Sequence, residues 1–106
     1  MRKEETFSLP ENYYKYGVFY VQTAIFGPPV RLRGTVESTL PVSIYIMDSR
    51  QMRILLNENR IETYLCTNPP QEHHNIDIQI RSSGLWYLVV TNYNMAPTGV
   101  HYELEW

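Results

Sequence analysis

The sequence has a single cysteine, no cluster of basic residues and no long apolar run among its 106 residues. Because Cys66 is alone, no intrachain disulfide can form, although a small extracellular domain often carries one. No segment approaches the ~20 apolar residues of a membrane span, and the N-terminus lacks the apolar run of a signal peptide. We therefore expect a cytoplasmic protein, with a domain excised from a longer secreted chain as the alternative.

Positive charge is dispersed along the chain, and the formal net charge is −2. Nucleic acids and anionic membranes require clustered Lys and Arg, so we expect no nucleic-acid partner and no membrane insertion. The nearest approach to a basic patch is Arg31 with Arg33, which share one face of a predicted strand. These two arginines are therefore candidate contact residues for a partner.

Tyrosine dominates the aromatic residues, and hydrophobic residues make up 43% of the chain. This length and composition predict one folded domain rather than a disordered chain. Tyrosine suits half-buried pleated surfaces, so its excess favours β structure. We assign residues 16–106 to a β-sandwich domain and residues 1–15 to an N-terminal extension or first edge strand.

Apolar and polar residues alternate in most segments between turn signals, which is typical of an antiparallel sheet with one buried face. The segments predicted as strands include residues 16–26, 30–36, 42–47, 76–81, 85–90 and 100–106. The turn signals include Leu40-Pro41, Asn68-Pro69-Pro70 and Ser82-Ser83-Gly84.

The pattern predicts a jelly-roll-like antiparallel β-sandwich of seven to nine strands with one short helix. Asp48 or Ser49 is the predicted cap of a helix over residues 50–56, and Asn57 is its predicted end. Residues 61–66 are predicted to form another short strand.

Four runs carry a resemblance to known domains. They are Leu-Arg-Gly-Thr-Val-Glu-Ser at 32–38, Leu-Pro-Val-Ser-Ile-Tyr-Ile-Met-Asp at 40–48, Ile-Asp-Ile-Gln-Ile at 76–80 and Ser-Gly-Leu-Trp-Tyr-Leu-Val-Val-Thr-Asn at 83–92. Residues 16–106 thereby resemble small bacterial jelly-roll-like sandwiches, namely the pre-peptidase C-terminal domains, the DUF1883 domains and, more distantly, the GOLD domains of membrane-traffic proteins. The resemblance implies an accessory fold that binds proteins or carbohydrates, and it brings no catalytic residues.

One cluster contains side chains of the types that bind metals: Cys66, Glu72, His73, His74 and Asp77. Its spacing is not that of a zinc finger, and adjacent histidines in a loop usually point apart, so we predict a solvated polar loop and no metal site. Cys66 as a nucleophile would need His73 or His74 as its base, but no glycine-bearing elbow surrounds it. Core filler at a strand end is the preferred interpretation of this thiol.

Asp48, Asn92 and Asn94 stand at strand ends and carry oxygen ligands of the kind that calcium prefers. Asp and Asn at strand ends are also ordinary turn residues, because their side chains hydrogen-bond to nearby backbone. We therefore interpret these three residues as turn formers.

Exposed tyrosines are the predicted working surface, and the alternative is that they only cover the second face of a small sheet. The alternation places Tyr45, Tyr87 and Tyr93 on the solvated face or in loops, and both Tyr and Arg are enriched at protein interfaces. We therefore predict a non-catalytic accessory domain without a cofactor that mediates protein–protein interaction or scaffolding. A carbohydrate-binding module that uses exposed aromatic residues is the alternative, and self-association through an edge strand is a second form of protein contact.

Overall fold

The computed structural model describes residues 1–62, 64 and 66–106 and shows a chain built mainly from antiparallel strands. The elements in these residues are β1 (Arg2–Leu9), β2 (Tyr13–Val21), β3 (Val30–Asp48), α1 (Ser49–Glu58), β4 (Cys66–Ile80), β5 (Gly84–Asn92) and β6 (Thr98–Glu105). The prediction of an all-β antiparallel fold with one short helix is confirmed. Among the described residues, no helix has the length and apolar character that spanning a membrane requires.

The strands form one curled sheet in the order β1-β6-β3-β5-β2, and β4 pairs with β3. The long strand β3 also pairs with two other strands along its length. Residues 33–38 pair with β6, and residues 43–48 pair with β5. We call β1, β6 and the first half of β3 the first wing, and β2, β5 and the second half of β3 the second wing. Strand β4 runs beside both halves of β3.

The inner faces of the two wings share one hydrophobic core. Its buried members include Leu32, Val36, Tyr102 and Leu104 from the first wing and Ile44, Ile46, Leu88 and Val90 from the second. The wings approach each other closely where Gly17 of β2 faces Tyr102 of β6. A Cβ at position 17 would overlap the Tyr102 hydroxyl, so only glycine fits there without a shift of the ring. The fold is therefore sandwich-like, with both wings contributing to a single interior.

Two segments predicted as turns lie inside strands instead. Pro41 falls within β3, and Pro69 and Pro70 fall within β4. The turn predictions were wrong because these prolines stand where the β3–β4 ladder is irregular, with register shifts between Glu37 and Ile44. A proline at such an irregularity removes no ladder hydrogen bond. The described residues consequently form six long strands rather than seven to nine.

Helix α1 begins at Ser49, one residue before the predicted start, and ends later than predicted. Asp48 is its N-cap, whereas the helix continues past Asn57 to Glu58. Asn59 then adopts a left-handed conformation with φ of 51°, and its N–H donates to the Leu55 carbonyl at 2.9 Å. Asparagine tolerates this conformation better than most residues, which explains why the helix stops at Asn59 rather than at Asn57.

The strand predicted over residues 61–66 is wrong for residues 61, 62 and 64, which lie outside any strand. Ile61 packs beside the helix residues Met52 and Leu55 instead of joining a ladder. Residues 63 and 65 lie outside the described part of the chain, and β4 begins at Cys66.

Candidate binding cleft

The outer face of the second wing is rich in aromatic and aliphatic side chains. Alternate residues of β2 point outward, as do alternate residues of its neighbour β5. The outward-facing residues of these two strands include Tyr14, Tyr16, Val18, Tyr20, Leu85 and Tyr87. A solvated polar face would be expected here in a simple antiparallel sheet, so this surface has a second covering or a second use.

Helix α1 supplies part of that covering. Met52 and Leu55 of the helix pack on Met47 and Val89 of the sheet, and all four side chains are buried. The helix is anchored at its start by a capping box with Asp48, whose carboxylate accepts from the Gln51 N–H at 2.9 Å. The Gln51 side chain in turn accepts from the Asp48 N–H at 3.0 Å.

A cleft of about 650 Å³ opens beyond the C-terminal end of α1. Its walls come from the start of β2, the neighbouring strands β3 and β5, and the chain that follows the helix. The described lining residues are Asn12, Tyr13, Tyr14, Tyr45, Leu55, Asn59, Arg60, Ile61, Tyr64, Thr91 and Tyr93. Nearly half of these residues are tyrosines, and the volume falls within the ~300–1,000 Å³ range of known ligand sites.

The tyrosine rings of the cleft are arranged in pairs. Tyr13 and Tyr14 are nearly parallel, with ring centroids 5.8 Å apart and planes 19° apart. Tyr45 and Tyr64 are tilted by 58° at a centroid distance of 5.4 Å. Ring contacts of this kind favour one arrangement of the side chains, so the cleft carries a defined aromatic surface.

Polar groups stand among the rings. Arg60 lines the cleft, and ion pairs with Glu58 at 2.9 Å and with Glu62 at 2.5 Å hold its guanidinium in place. The Asn59 and Asn12 amides and the Thr91 hydroxyl add donors and acceptors to the lining. The cleft can therefore offer both ring stacking and directed hydrogen bonds.

The structure brings two of the predicted site residues together in this cleft, namely Tyr45 and Tyr93. Tyr87 lies on the same outer face but outside the lining, where its ring contacts Tyr16 edge-on at a centroid distance of 5.9 Å. Tyr93 is 60% exposed. The predicted tyrosines thus belong to one face, although only two of them share the cleft.

The predicted arginines lie elsewhere, on the outer face of the first wing. Arg31 holds Asp77 through two hydrogen bonds of 2.8 and 2.7 Å, and this contact lowers the pKa of the Asp77 carboxyl. Arg33 lies 4.0 Å from Glu105. Both arginines therefore have acidic partners within the sheet and do not join the tyrosines.

The predicted metal-type cluster is dispersed by the strand geometry. His73 and His74 lie in β4 rather than in a loop, so they point to opposite faces. His74 is fully buried and donates from Nε2 to the Val42 carbonyl at 2.6 Å, whereas His73 is exposed beside Glu37. Burial lowers the pKa of His74, and the hydrogen bond to Val42 only partly offsets this effect. The prediction for the Cys66 thiol concerns a side chain outside the described part of the structure.

Of the three candidate calcium residues, Asp48 lies at the start of α1, whereas Asn92 and Asn94 are neighbours, because Asn94 donates to the Asn92 Oδ1 from its backbone N–H at 3.0 Å and from its Nδ2 at 2.7 Å. Asp48 caps α1. Asn92 is fully buried, and its Nδ2 donates to the carbonyls of Leu9, Pro10 and Ala96 at 2.9–3.3 Å. Asn94 donates to the Pro41 carbonyl at 2.6 Å. Each of these side chains therefore stabilises the local backbone.

Sequence reasoning did not single out Tyr64, Asn59 or Arg60 as site residues. No local signal joins them to residues 12–14, because the cleft is assembled by the sheet order β3-β5-β2 and by the end of α1. The signal available in the sequence was the density of tyrosine alone.

The sequence matches no protein-family model and no curated protein. The resemblance to pre-peptidase C-terminal, DUF1883 and GOLD domains accordingly stays a prediction.

Proposed function

We propose that this protein is a non-catalytic binding module that holds an extended peptide segment of a protein partner in the tyrosine cleft. The observation that carries the proposal is the convergence of Tyr13, Tyr14, Tyr45, Tyr64 and Tyr93 on one cleft of about 650 Å³. An accessory role in the cytoplasm is part of the proposal, and it is supported by the single cysteine of the sequence.

The chemistry of the lining favours a peptide. Tyrosine gives a large contact area at a small cost in side-chain entropy, which is why it is enriched in binding surfaces. An extended peptide also exposes backbone N–H and C=O groups along its length, and the amides of Asn12 and Asn59 can pair with them. The Arg60 guanidinium also lies beside the rings, and its N–H groups that are not bonded to Glu58 and Glu62 can donate to the peptide.

A carbohydrate ligand is the second candidate, and one observation favours it. Tyr13 is 58% exposed and nearly parallel to Tyr14, so the pair presents flat aromatic surface to solvent. Flat rings beside amide and hydroxyl groups match a sugar, which has an apolar face and a rim of hydroxyls.

Selection of a phage-displayed library of random peptides on the purified protein tests the proposal. We expect selected peptides to bind the wild-type chain and to lose at least about tenfold in affinity with Tyr13→Ser or Tyr93→Ser, because aromatic anchors carry most of the binding energy. The matched control is Tyr20→Ser, since Tyr20 is 52% exposed on the same wing but outside the cleft. Fluorescence titration measures each affinity.

Three results distinguish the candidates. Peptides that bind equally to the wild type and to both cleft variants contradict the proposal, as does a selection that enriches no peptide. If the protein binds a glycan from a panel, and this binding depends on Tyr13 and Tyr93 but not on Tyr20, then the ligand of the cleft is a carbohydrate rather than a peptide.

A further inference from the structure

A histidine and two glutamates converge on the outer face of the first wing, away from the tyrosine cleft. In the β1–β6 ladder Glu4 lies directly opposite Glu103, and Thr6 lies directly opposite His101. Side chains two residues apart share a face, so all four point to the same side of the sheet. Both strands are paired along their full lengths, which gives the group a rigid base.

The distances among these side chains match a metal site. His101 Nε2 lies 3.4 Å from a carboxylate oxygen of Glu103 and 3.6 Å from one of Glu4. One ligand atom from each residue lies within 4.8 Å of the other two. A tetrahedral zinc ion with bonds of about 2.0–2.1 Å holds its ligand atoms about 3.4 Å apart. Only small side-chain movements would therefore complete the coordination.

Thr6 fixes the orientation of the imidazole. Its hydroxyl oxygen lies 2.6 Å from His101 Nδ1. When Nδ1–H donates to this oxygen, the neutral ring directs its Nε2 lone pair at the two carboxylates, as a metal ligand requires. A hydrogen-bond partner on the second ring nitrogen is the usual companion of a metal-bound histidine.

The two carboxylates call for a cation. Like charges that face each other across an antiparallel pair destabilise it. Arg2 supplies one positive charge, because its Nη2 lies 2.9 Å from Glu4 and 3.5 Å from Glu103. Its side chain is 64% exposed, so it can turn toward solvent and give up its place to a dication.

We propose that Glu4, His101 and Glu103 form a zinc-binding site, with the solvent side left for a fourth ligand. Imidazole with two carboxylates suits zinc, whereas calcium and magnesium prefer oxygen ligands alone. Arg2 is the competitor of the metal at this site, and Thr6 is a positioning residue for His101. The site is independent of the peptide cleft, which lies on the second wing.

Calorimetric titration of the untagged chain with zinc chloride tests the site. We expect one zinc per chain and a rise in Tm with zinc, since a ligand bound by the folded state alone stabilises it. His101→Ala and the nearly isosteric Glu103→Gln should both abolish binding. The matched control is His73→Ala, which removes another exposed histidine and should leave the affinity unchanged. Circular dichroism verifies that each variant is folded.

Two further variants should move the affinity in opposite directions. Thr6→Val keeps the strand but removes the hydrogen bond to His101, so we expect binding about 10–100-fold weaker. Arg2→Gln removes the competing cation, so we expect binding tighter than that of the wild type. The proposal is overturned if millimolar zinc gives neither heat nor a rise in Tm, or if His73→Ala weakens binding as much as Glu103→Gln does.

Discussion

The outer face of the first wing carries cross-strand ion pairs, whereas the outer face of the second wing carries tyrosines beneath a helix. Arg2 with Glu103 and Arg33 with Glu105 represent the first surface. Tyr14 and Tyr87, which pack at the margin of the α1 cluster, represent the second. The inner faces of the two wings, by contrast, are both apolar and meet in one core.

This difference separates what the fold needs from what a binding surface needs. Exposed ion pairs add little to stability, so the first surface mainly keeps the sheet solvated and in register. The shared core already buries the inner faces, so the tyrosines of the cleft are not required to form it. The tyrosine cleft of the second wing is therefore the surface that we propose for a large ligand, whereas the site that we propose on the first wing is for an ion.

The largest predicted effect tests whether the two wings share one core. Ile46→Ala removes a fully buried side chain from the second wing and should lower the free energy of unfolding by about 2–5 kcal/mol. Urea unfolding followed by circular dichroism and tryptophan fluorescence should still show one transition. Val18→Ala, on the outer face of the same wing, is the control and should cost far less. Two separated transitions for Ile46→Ala would mean that the wings unfold independently.

A smaller effect tests the link between the two halves of β3, where its ladder with β4 is irregular. His74 of β4 donates to the Val42 carbonyl at 2.6 Å, just where the ladder is irregular. His74→Leu keeps the volume but leaves that carbonyl without its donor, which should cost about 1–3 kcal/mol. His73→Leu, on the exposed face of the same strand, is the matched control for urea unfolding. Equal stability losses in the two variants would show that the buried hydrogen bond has no special role.

The same histidine predicts a pH dependence. Burial lowers the pKa of His74 below its ordinary value of 6.5, so the fold favours the neutral ring. The unfolded state then binds more protons than the native state once the pH falls below 6.5. The contribution of His74 to the free energy of unfolding should be fully present above this pH. It should decline as the pH falls through 6.5 toward the native pKa of His74. Urea unfolding of His74→Leu at several pH values should lack this decline in the free energy of unfolding. If the variant shows the same decline as the wild type, groups other than His74 cause it.

Alternation along the chain was sufficient to predict the inner faces. Leu32, Val36, Ile44, Ile46 and Leu88 were all placed in the core by their period of two, and the structure buries every one of them. The cap of α1 was predictable to within one residue, as Asp48 or Ser49, because a short polar side chain before an apolar-periodic segment satisfies free backbone N–H groups.

The bend of the sheet and the cleft could not be predicted in the same way. Pro41 gives a local turn signal, and only the pairing of β3 with β6 before it and with β5 after it shows that the strand continues. Tyr45 and Tyr93 could be expected to face outward, but Arg60 and Tyr64 reach them only through the end of α1. Alternation of apolar and polar residues predicts which side chains are buried. The cleft depends instead on the order of the strands in the sheet, which no short stretch of sequence encodes.

The smallest predicted effect tests whether the helix belongs to only one of the two surfaces. Asp48→Ala removes the capping box of α1 and should cost about 1 kcal/mol of stability. Because Leu55 and Asn59 at the other end of α1 line the cleft, loosening of the helix should also weaken peptide binding there. Zinc binding at Glu4 and His101 should not change, because in the described part of the chain α1 packs mainly on β3 and β5 rather than on β1 and β6. Parallel titrations of Asp48→Ala with a selected peptide and with zinc make this test, and equal losses at both sites would show that the two outer faces are coupled through the core.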